Sequence, residues 1–530
     1  MCRAVFPVIL SVFFMVRAVL AEPPASAPLE KPNVILITVD ALRRDRMSLY
    51  GHSRKTTPYL DEFAKDAIVF ENAYATSAHT SPAIVSLLTG QVPPVHAQTS
   101  SFSSYDPLIP TPIRELVARG YDTFGHFNSG PTYENLGLVA ALHRRDIHEF
   151  LSLRARIPRP FFAWIHTSDT HLPYRPTERF AGEFTRPLTK KGQRDPLNTP
   201  LVRAARKFRM ILRGRRFTLP YAHAEGISLN PGDQETLRAI YDECVLSADA
   251  KVGHWLDQMK ANGLLDRSIV IISADHGDEL LEHGWVGHAS TSYDGKLTDE
   301  ILKVPLIIRL PGGRFAGRYK AMTSQVDVMP TIFDLLQVDN SRLASFQQGY
   351  SLLPVLTGAV TEARDHVFAE TTFKGWTTPY SEVGYRVSIV RSLSQKYVSA
   401  VRRNGAATTA FDLLSDPKEL RDQWRAKPGE YRDIHQLFTK LTNGYRETAA
   451  KMVFAAAEMH LKAIEEGKER EIHLRAIENL ERTWGMERFS FLQVPEKRTR
   501  WDGIQSKAAA TLVSSVLTAA PAFVVKEQNS

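Results

Sequence analysis

Four short runs of consecutive apolar residues constrain this chain most: Val34-Ile35-Leu36-Ile37, Phe161-Phe162-Ala163-Trp164-Ile165, Ile269-Val270-Ile271-Ile272 and Val304-Pro305-Leu306-Ile307-Ile308. None shows the strict alternation of a half-exposed strand. Each reads as a strand buried on both faces, the kind a parallel sheet contains. Gly120 to Phe124 approaches a further strand. Helical stretches lie between the runs. Thr57-Pro58 opens one, with Thr57 as cap and Pro58 in the first turn, and Gln234 to Asn262 keeps helical spacing until Gly263. Strands alternating with helices predict an α/β fold built on one large sheet. Polar residues cluster just past the strand ends: Asp40, then His166 and His171, then Asp275-His276-Gly277. Ligands of open α/β sheets bind there.

The 530 residues, 43% hydrophobic and 23% charged, suffice for a large core and more than one domain. Residues 1–21 read as a secretory signal: Arg3, an apolar run from Pro7 to Val16, and Val19-Leu20-Ala21 as a cleavage site. That predicts a secreted or periplasmic protein. Residues 22–32 form a Pro/Ala/Ser-rich linker, 33–365 the main domain, 366–425 a small subdomain with two or three short strand patterns from Val387 to Leu414, and 426–530 a charged helical extension ending in a helix near Ile504–Ala519. Cys2 leaves with the signal, so Cys244 has no partner and reads as a buried apolar residue on its helix. Charge is uneven. Residues 185–220 hold eleven Lys/Arg against Asp195 alone, more than the chain's net +8. Export argues against nucleic acid as the partner of this segment; an anionic substrate, a polyanion or a peripheral membrane contact fits it, as does a solvated insertion.

Asp40, Asp275 and His276 at strand ends form a metal-ligand set, with Thr80 adding a hydroxyl oxygen. Here a family resemblance becomes specific. Thr80-Ser81-Pro82-Ala83-Ile84 followed by Leu88-Thr89-Gly90 resembles the sulfatase signature Cys-x-Pro-Ser-Arg-x-x-x-Leu-Thr-Gly. Asn33 to Asp45 resembles the family's opening strand, His171-Leu172-Pro173-Tyr174 its His-x-Pro-Tyr, and Ser273 to Leu280 with Gly287-His288 its second metal segment. Lys303-Val304-Pro305, Gln325-Val326-Asp327 and Phe411 to Pro417 extend the likeness, which spans Pro32 to Asp422. It implies the sulfatase branch of the alkaline phosphatase superfamily, with a mixed sheet flanked by helices and a small C-terminal antiparallel sheet. By position it implies Asp40, Thr80, Asp275 and His276 as metal ligands, and Thr80, His171 and His288 as catalytic residues.

Three departures alter the chemistry the resemblance implies. Thr80 stands where the family has the Cys that becomes formylglycine, Ile84 stands at the Arg, and Asp40 lacks the second Asp that many members place beside it. No formylglycine is therefore expected. Threonine has a single hydroxyl, so a sulfated or phosphorylated Thr80 must be released by attack at sulfur or phosphorus. The reading is a metal-dependent hydrolase of sulfate or phosphate esters with Thr80 as metal-bound nucleophile. A phosphoryl transferase acting on envelope glycans or lipids, and a non-catalytic binder of anionic glycans, stay open beside it. Oxygen-rich ligation favours Ca²⁺ or Mg²⁺ as the single divalent ion, while the histidine and the threonine also admit Mn²⁺ or Zn²⁺.

Overall fold

The computed structural model describes residues 31–98, 105–127, 138, 142–144, 146–172, 174–185, 231–283, 286–288, 297–372, 385–402 and 405–484. The signal, most of the linker and of the basic segment, and the helix expected near Ile504–Ala519 lie outside these residues.

The apolar runs become the middle of an eight-stranded mixed sheet. Its strands are β1 (Asn33–Val39), β2 (Ile68–Tyr74), β3 (Asp122–His126), β4 (His143–Arg144), β5 (Phe161–Thr167), β6 (Ser268–Ala274), and, after the two-residue strands β7 (Glu279–Leu280) and β8 (Val286–Gly287), β9 (Lys303–Arg309) and β10 (Gly317–Ser324). Their order is β10-β2-β9-β6-β1-β5-β3-β4. β1 lies at the centre, parallel to both β5 and β6, and all seven residues of each of these three strands are buried. This explains their unbroken apolar character: no face is left for polar alternation. β9 runs antiparallel between β6 and β2, which makes the sheet mixed. β10 is an edge strand whose first half is largely exposed.

Helices cover the sheet: α1 (Pro58–Phe63), α2 (Thr80–Thr89), α3 (Pro93–His96), α4 (Pro112–Ala118), α5 (Ile147–Arg154), α6 (Pro231–Ala261) and α7 (Val328–Leu335) are the main ones before the second sheet. Pro58 starts α1 as expected, but Thr57 does not cap it. The Thr57 hydroxyl bonds Asp61, and the helix amides of Tyr59 and Leu60 instead donate to the Asp249 carboxylate on α6, both at 2.9 Å. Cys244 is buried on α6, and burial holds its thiol well above the ordinary range, so it is an inert apolar filler.

The second sheet has four antiparallel strands, one more than the patterns from Val387 onward predict: β11 (Val367–Thr372), β12 (Tyr385–Arg391), β13 (Gln395–Arg402) and β14 (Gly405–Asp412). β11 carries too few apolar residues to stand out alone. It is fixed by pairing with β12 and by the Glu370 amide, which bonds the Thr76 carbonyl just before α2. Two helices follow, α8 (Arg432–Glu465) and α9 (Arg470–Trp484), broken at Gly467 with φ 78°. Ala449, Met452, Val453, Ala456, Ala457 and His460 form one buried stripe of α8 at helical spacing. Trp484 at the end of α9 donates its indole N–H to the Val95 carbonyl on α3 at 3.2 Å, tying the extension to the body. Among the described residues no helix is long and apolar enough to cross a membrane.

Candidate active site

The site stands at the C-terminal ends of β1, β5 and β6. In the parallel register Val39 pairs with Ala274, so Asp40 and Asp275, one residue further on, emerge side by side. Both are buried. At Asp275, Oδ1 accepts the amides of Ala41 at 3.0 Å and His276 at 2.9 Å, while Oδ2 has no hydrogen bond. Ala41 reaches this position in the left-handed region, φ 60°, where an alanine is strained. At Asp40, Oδ1 likewise has no hydrogen bond, and Oδ2 faces Nε2 of His166 at 3.7 Å.

His276 completes the inner face. Its Nδ1 lies 2.8 Å from the Gly277 carbonyl and donates to it, which leaves the Nε2 lone pair pointing inward. Nε2 is 3.5 Å from Asp275 Oδ2, 3.9 Å from Asp40 Oδ1 and 3.5 Å from Thr80 Oγ1. Thr80 is the first residue of α2, whose remaining nine residues are all buried, so the helix is rigidly seated. The four predicted ligands are thus brought together: two bare carboxylate oxygens, one imidazole lone pair and one hydroxyl. These separations are at or beyond hydrogen-bond length, yet a single ion with bonds of about 2.0–2.5 Å spans them. Two buried carboxylate oxygens without a donor are what a divalent cation satisfies, so the donor set fits one.

The other predicted residues stand close by. β7 and β8 pair as a small antiparallel ribbon that folds the chain back after Asp278, so His288 returns beside it. His288 Nδ1 is 3.0 Å from Asp278 Oδ1, and the His288 ring lies 4.7 Å from that of His276 and 5.3 Å from that of His171. His171 donates Nδ1–H to the Leu172 carbonyl at 2.5 Å. Ser81 is buried within α2, so Thr80 is the hydroxyl that faces His276. Lys303 pairs with Asp299 at 2.9 Å.

Electrostatics follow from this crowding. Burial pushes Asp40 upward, but the imidazoles of His171, His166 and His276 outweigh it and hold the carboxyl well below its usual range. Burial and the Asp40 charge both raise Asp275. Burial lowers His276 and His171, yet the surrounding carboxylates reverse this and raise both. His288 is lowered: burial is the largest cause, Asp278 opposes it, and the His276 and His171 imidazoles add to the lowering.

Two further groups, Asp278 and His79, escape a reading of the sequence, and His166 is placed differently from its reading. His166 lies inside β5 rather than past its end. Asp278 is fully buried and also accepts the Tyr174 hydroxyl at 2.9 Å. His79, next to Thr80, places its ring 5.6 Å from that of His288. The signal for these was nearness in sequence to Trp164, His276 and Thr80; His166 meets Thr38 and Asp278 meets Tyr174 across more than a hundred residues, while Asp278 meets His288 within the same segment.

A mixed α/β sheet with paired carboxylates, imidazoles and a helix-borne hydroxyl at its strand ends defines a hydrolase of sulfuric or phosphoric esters in the alkaline phosphatase superfamily. The family model described as Sulfatase matches residues 32–145 and 140–338, and the chain belongs to the sulfatase family. Arylsulfatase K of Gallus gallus is 21% identical over 471 residues, covering 80% of this chain and 84% of that protein. The N-acetylglucosamine-6-O-sulfatase of Bacteroides thetaiotaomicron is 25% identical over 418 residues, covering 63% and 72%. Among solved structures, a protein in complex with its substrate D-glucosamine-2-N,6-O-disulfate superposes with a TM-score of 0.61 at 19% identity, over 78% of this chain and 98% of its own. The phosphonate monoester hydrolase of Agrobacterium radiobacter gives 0.60 at 22%, over 79% and 96%.

Proposed function

We propose that this protein is a metal-dependent hydrolase of sulfate or phosphate esters in which Thr80 itself is the nucleophile. One observation carries the reading: Thr80 Oγ1 and the donor-free oxygens of Asp40 and Asp275 all lie within 3.9 Å of His276 Nε2. Asp40, Asp275, His276 and Thr80 would hold the cation, which supplies a lowered pKa for the threonine hydroxyl and neutralises charge on the transferred group. Thr80 then attacks phosphorus or sulfur, and its ester is cleaved by water at the same atom. The N-terminus of α2 directs its dipole at the anionic group. His171 and His288, each with Nδ1 already engaged, present Nε2 for proton transfer to the leaving oxygen and from the incoming water. Ile84 is wholly buried in the core, so no cation of this helix turn is available to hold an aldehyde hydrate. The absence of a second hydroxyl on Thr80 favours phosphorus over sulfur. Relatives named for sulfate esters on sugars support a sugar-borne anionic ester as the substrate class.

The test is a panel of aryl and sugar sulfates, phosphates, phosphonates and phosphodiesters assayed with wild type and Thr80→Ala after the bound metal has been measured. Metal-dependent turnover, lost by about three orders of magnitude in Thr80→Ala, is expected. Unchanged turnover in that variant removes Thr80 as nucleophile. Turnover only with an added acceptor alcohol makes the protein a transferase instead, and absence of both metal and turnover makes it a binding protein.

A further inference from the structure

We propose that Trp164, Thr38 and His166 form a buried donor chain that fixes which oxygen of Asp40 is offered to the cation. The inference rests on the cation site proposed above.

Strand geometry puts the four side chains on one face of the sheet. Thr38 and Asp40 are two residues apart at the end of β1, Trp164 and His166 two apart on β5, and Thr38 pairs with His166 in the register. The Trp164 indole can only donate, and its Nε1 lies 3.0 Å from Thr38 Oγ1. The same oxygen lies 2.7 Å from His166 Nδ1. A hydroxyl has one proton. Thr38 Oγ1 has two lone pairs and could accept from both rings, but its own buried proton would then have no acceptor; giving that proton to His166 Nδ1 satisfies all three groups and makes His166 the tautomer protonated at Nε2. That N–H faces Asp40 Oδ2 across 3.7 Å.

The tautomer decides the role. His166, Asp40 and Asp275 lie within ligand reach of one another, so His166 has the position of a metal ligand. A protonated Nε2 has no lone pair to give. His166 is therefore a positioning residue, a donor aimed at one carboxylate oxygen so that Oδ1 stays bare toward Thr80 and His276. Asp275 is arranged in the same way, with Oδ1 held by the amides of Ala41 and His276 and Oδ2 bare. Each carboxylate thus has one oxygen facing the protein, hydrogen-bonded at Asp275 and 3.7 Å from His166 Nε2 at Asp40, beyond hydrogen-bond length, and one left for the ion. Outer partners of this kind orient metal ligands and set their basicity. Trp164, Thr38 and His166 are all buried.

The experiment titrates Ca²⁺, Mg²⁺, Mn²⁺ and Zn²⁺, each alone, into the metal-stripped full chain by calorimetry, with the metal-free melting temperature of each variant as a folding check. For the ion that wild type binds, Thr38→Val and His166→Phe are expected to weaken affinity about 10–100-fold, Thr38→Ser to restore it, and Asp40→Asn to abolish it. If His166→Phe does not fold, the Thr38→Val and Thr38→Ser pair decides alone. Wild-type affinity in Thr38→Val overturns the donor chain. Loss in His166→Phe as complete as in Asp40→Asn also overturns it, since His166 would then be a ligand. A wild type that binds none of the four ions overturns the cation site itself, a failure distinct from the other two.

Discussion

Asp278 Oδ1 lies 3.0 Å from His288 Nδ1, and Asp278 is fully buried while His288 reaches the site. The carboxylate holds the imidazole in one tautomer, with Nε2 toward the reacting groups. Asp278→Asn is expected to lower kcat about 100-fold on esters with poor alkoxide leaving groups and far less on p-nitrophenyl esters, whose leaving group needs no proton. Tyr174→Phe removes the other partner of Asp278 and controls for simple loosening; it should lower both substrate classes alike and only slightly. Parallel losses on both substrate classes in Asp278→Asn would remove His288 as an acid.

Two buried groups give stability opposite dependences on pH. His96 bonds Ser86 Oγ at 3.0 Å and accepts the Gln98 amide at 3.0 Å, and burial lowers its pKa from 6.5 to about 3. The unfolded chain binds this proton first, so stability is full above 6.5 and is lost as pH falls toward 3. Asp249 is raised by burial from 3.8 to about 7. Its contribution is full below 3.8 and is lost as pH rises through 7. Each slope is at most about 1.4 kcal/mol per pH unit. Urea unfolding between pH 4 and 6.5 should show the two nearly cancelling in wild type. His96→Gln should make stability fall with pH, and Asp249→Asn should make it rise.

Gly277 follows His276, and a Cβ added there would sit 2.1 Å from the Glu300 carbonyl oxygen, a backbone atom that cannot swing aside. The Gly277 amide also bonds the Ile301 carbonyl at 2.7 Å. Gly277→Ala is expected to cost about 3 kcal/mol and to displace His276, so that metal affinity falls together with the melting temperature. A variant as stable as wild type would show that this segment has room to move.

The C-terminal helices are held by a buried relay. His460 Nε2 lies 3.0 Å from Asp106 Oδ2, and His460 Nδ1 lies 2.9 Å from His473 Nδ1. Asp106→Ala leaves a buried imidazole without its acceptor and should cost about 2–3 kcal/mol. Limited proteolysis should then cut within Arg432–Trp484 before it cuts the main sheet. Equal protection of the two regions would mean that the extension is held mainly by its apolar stripe.

The large sheet was legible because β1, β5, β6 and β9 are buried strongly enough that their central residues form unbroken apolar runs. β10 and β11 were not, because an edge strand and a strand of a small sheet carry mixed residues whose pairing is set by distant partners. Thr57 shows the same limit at a helix end. Its sequence position is that of a cap, yet the amides it would satisfy are taken by Asp249, which adjoins it only because α6 packs against α1.

The sequence by itself determined the α/β class and the strand ends at which chemistry is placed, and its resemblance to sulfatase motifs marked Thr80, Asp40, Asp275, His276, His171 and His288 as the residues to follow, because these lie in short segments that can be compared one by one. The tertiary structure alone decided which atoms meet. Parallel register sets Asp40 beside Asp275, the strained backbone of Ala41 occupies one oxygen of Asp275, and the Trp164–Thr38–His166 contacts select a tautomer. Such decisions rest on single protons and lone pairs across neighbouring strands, and a linear pattern of residue types does not record them.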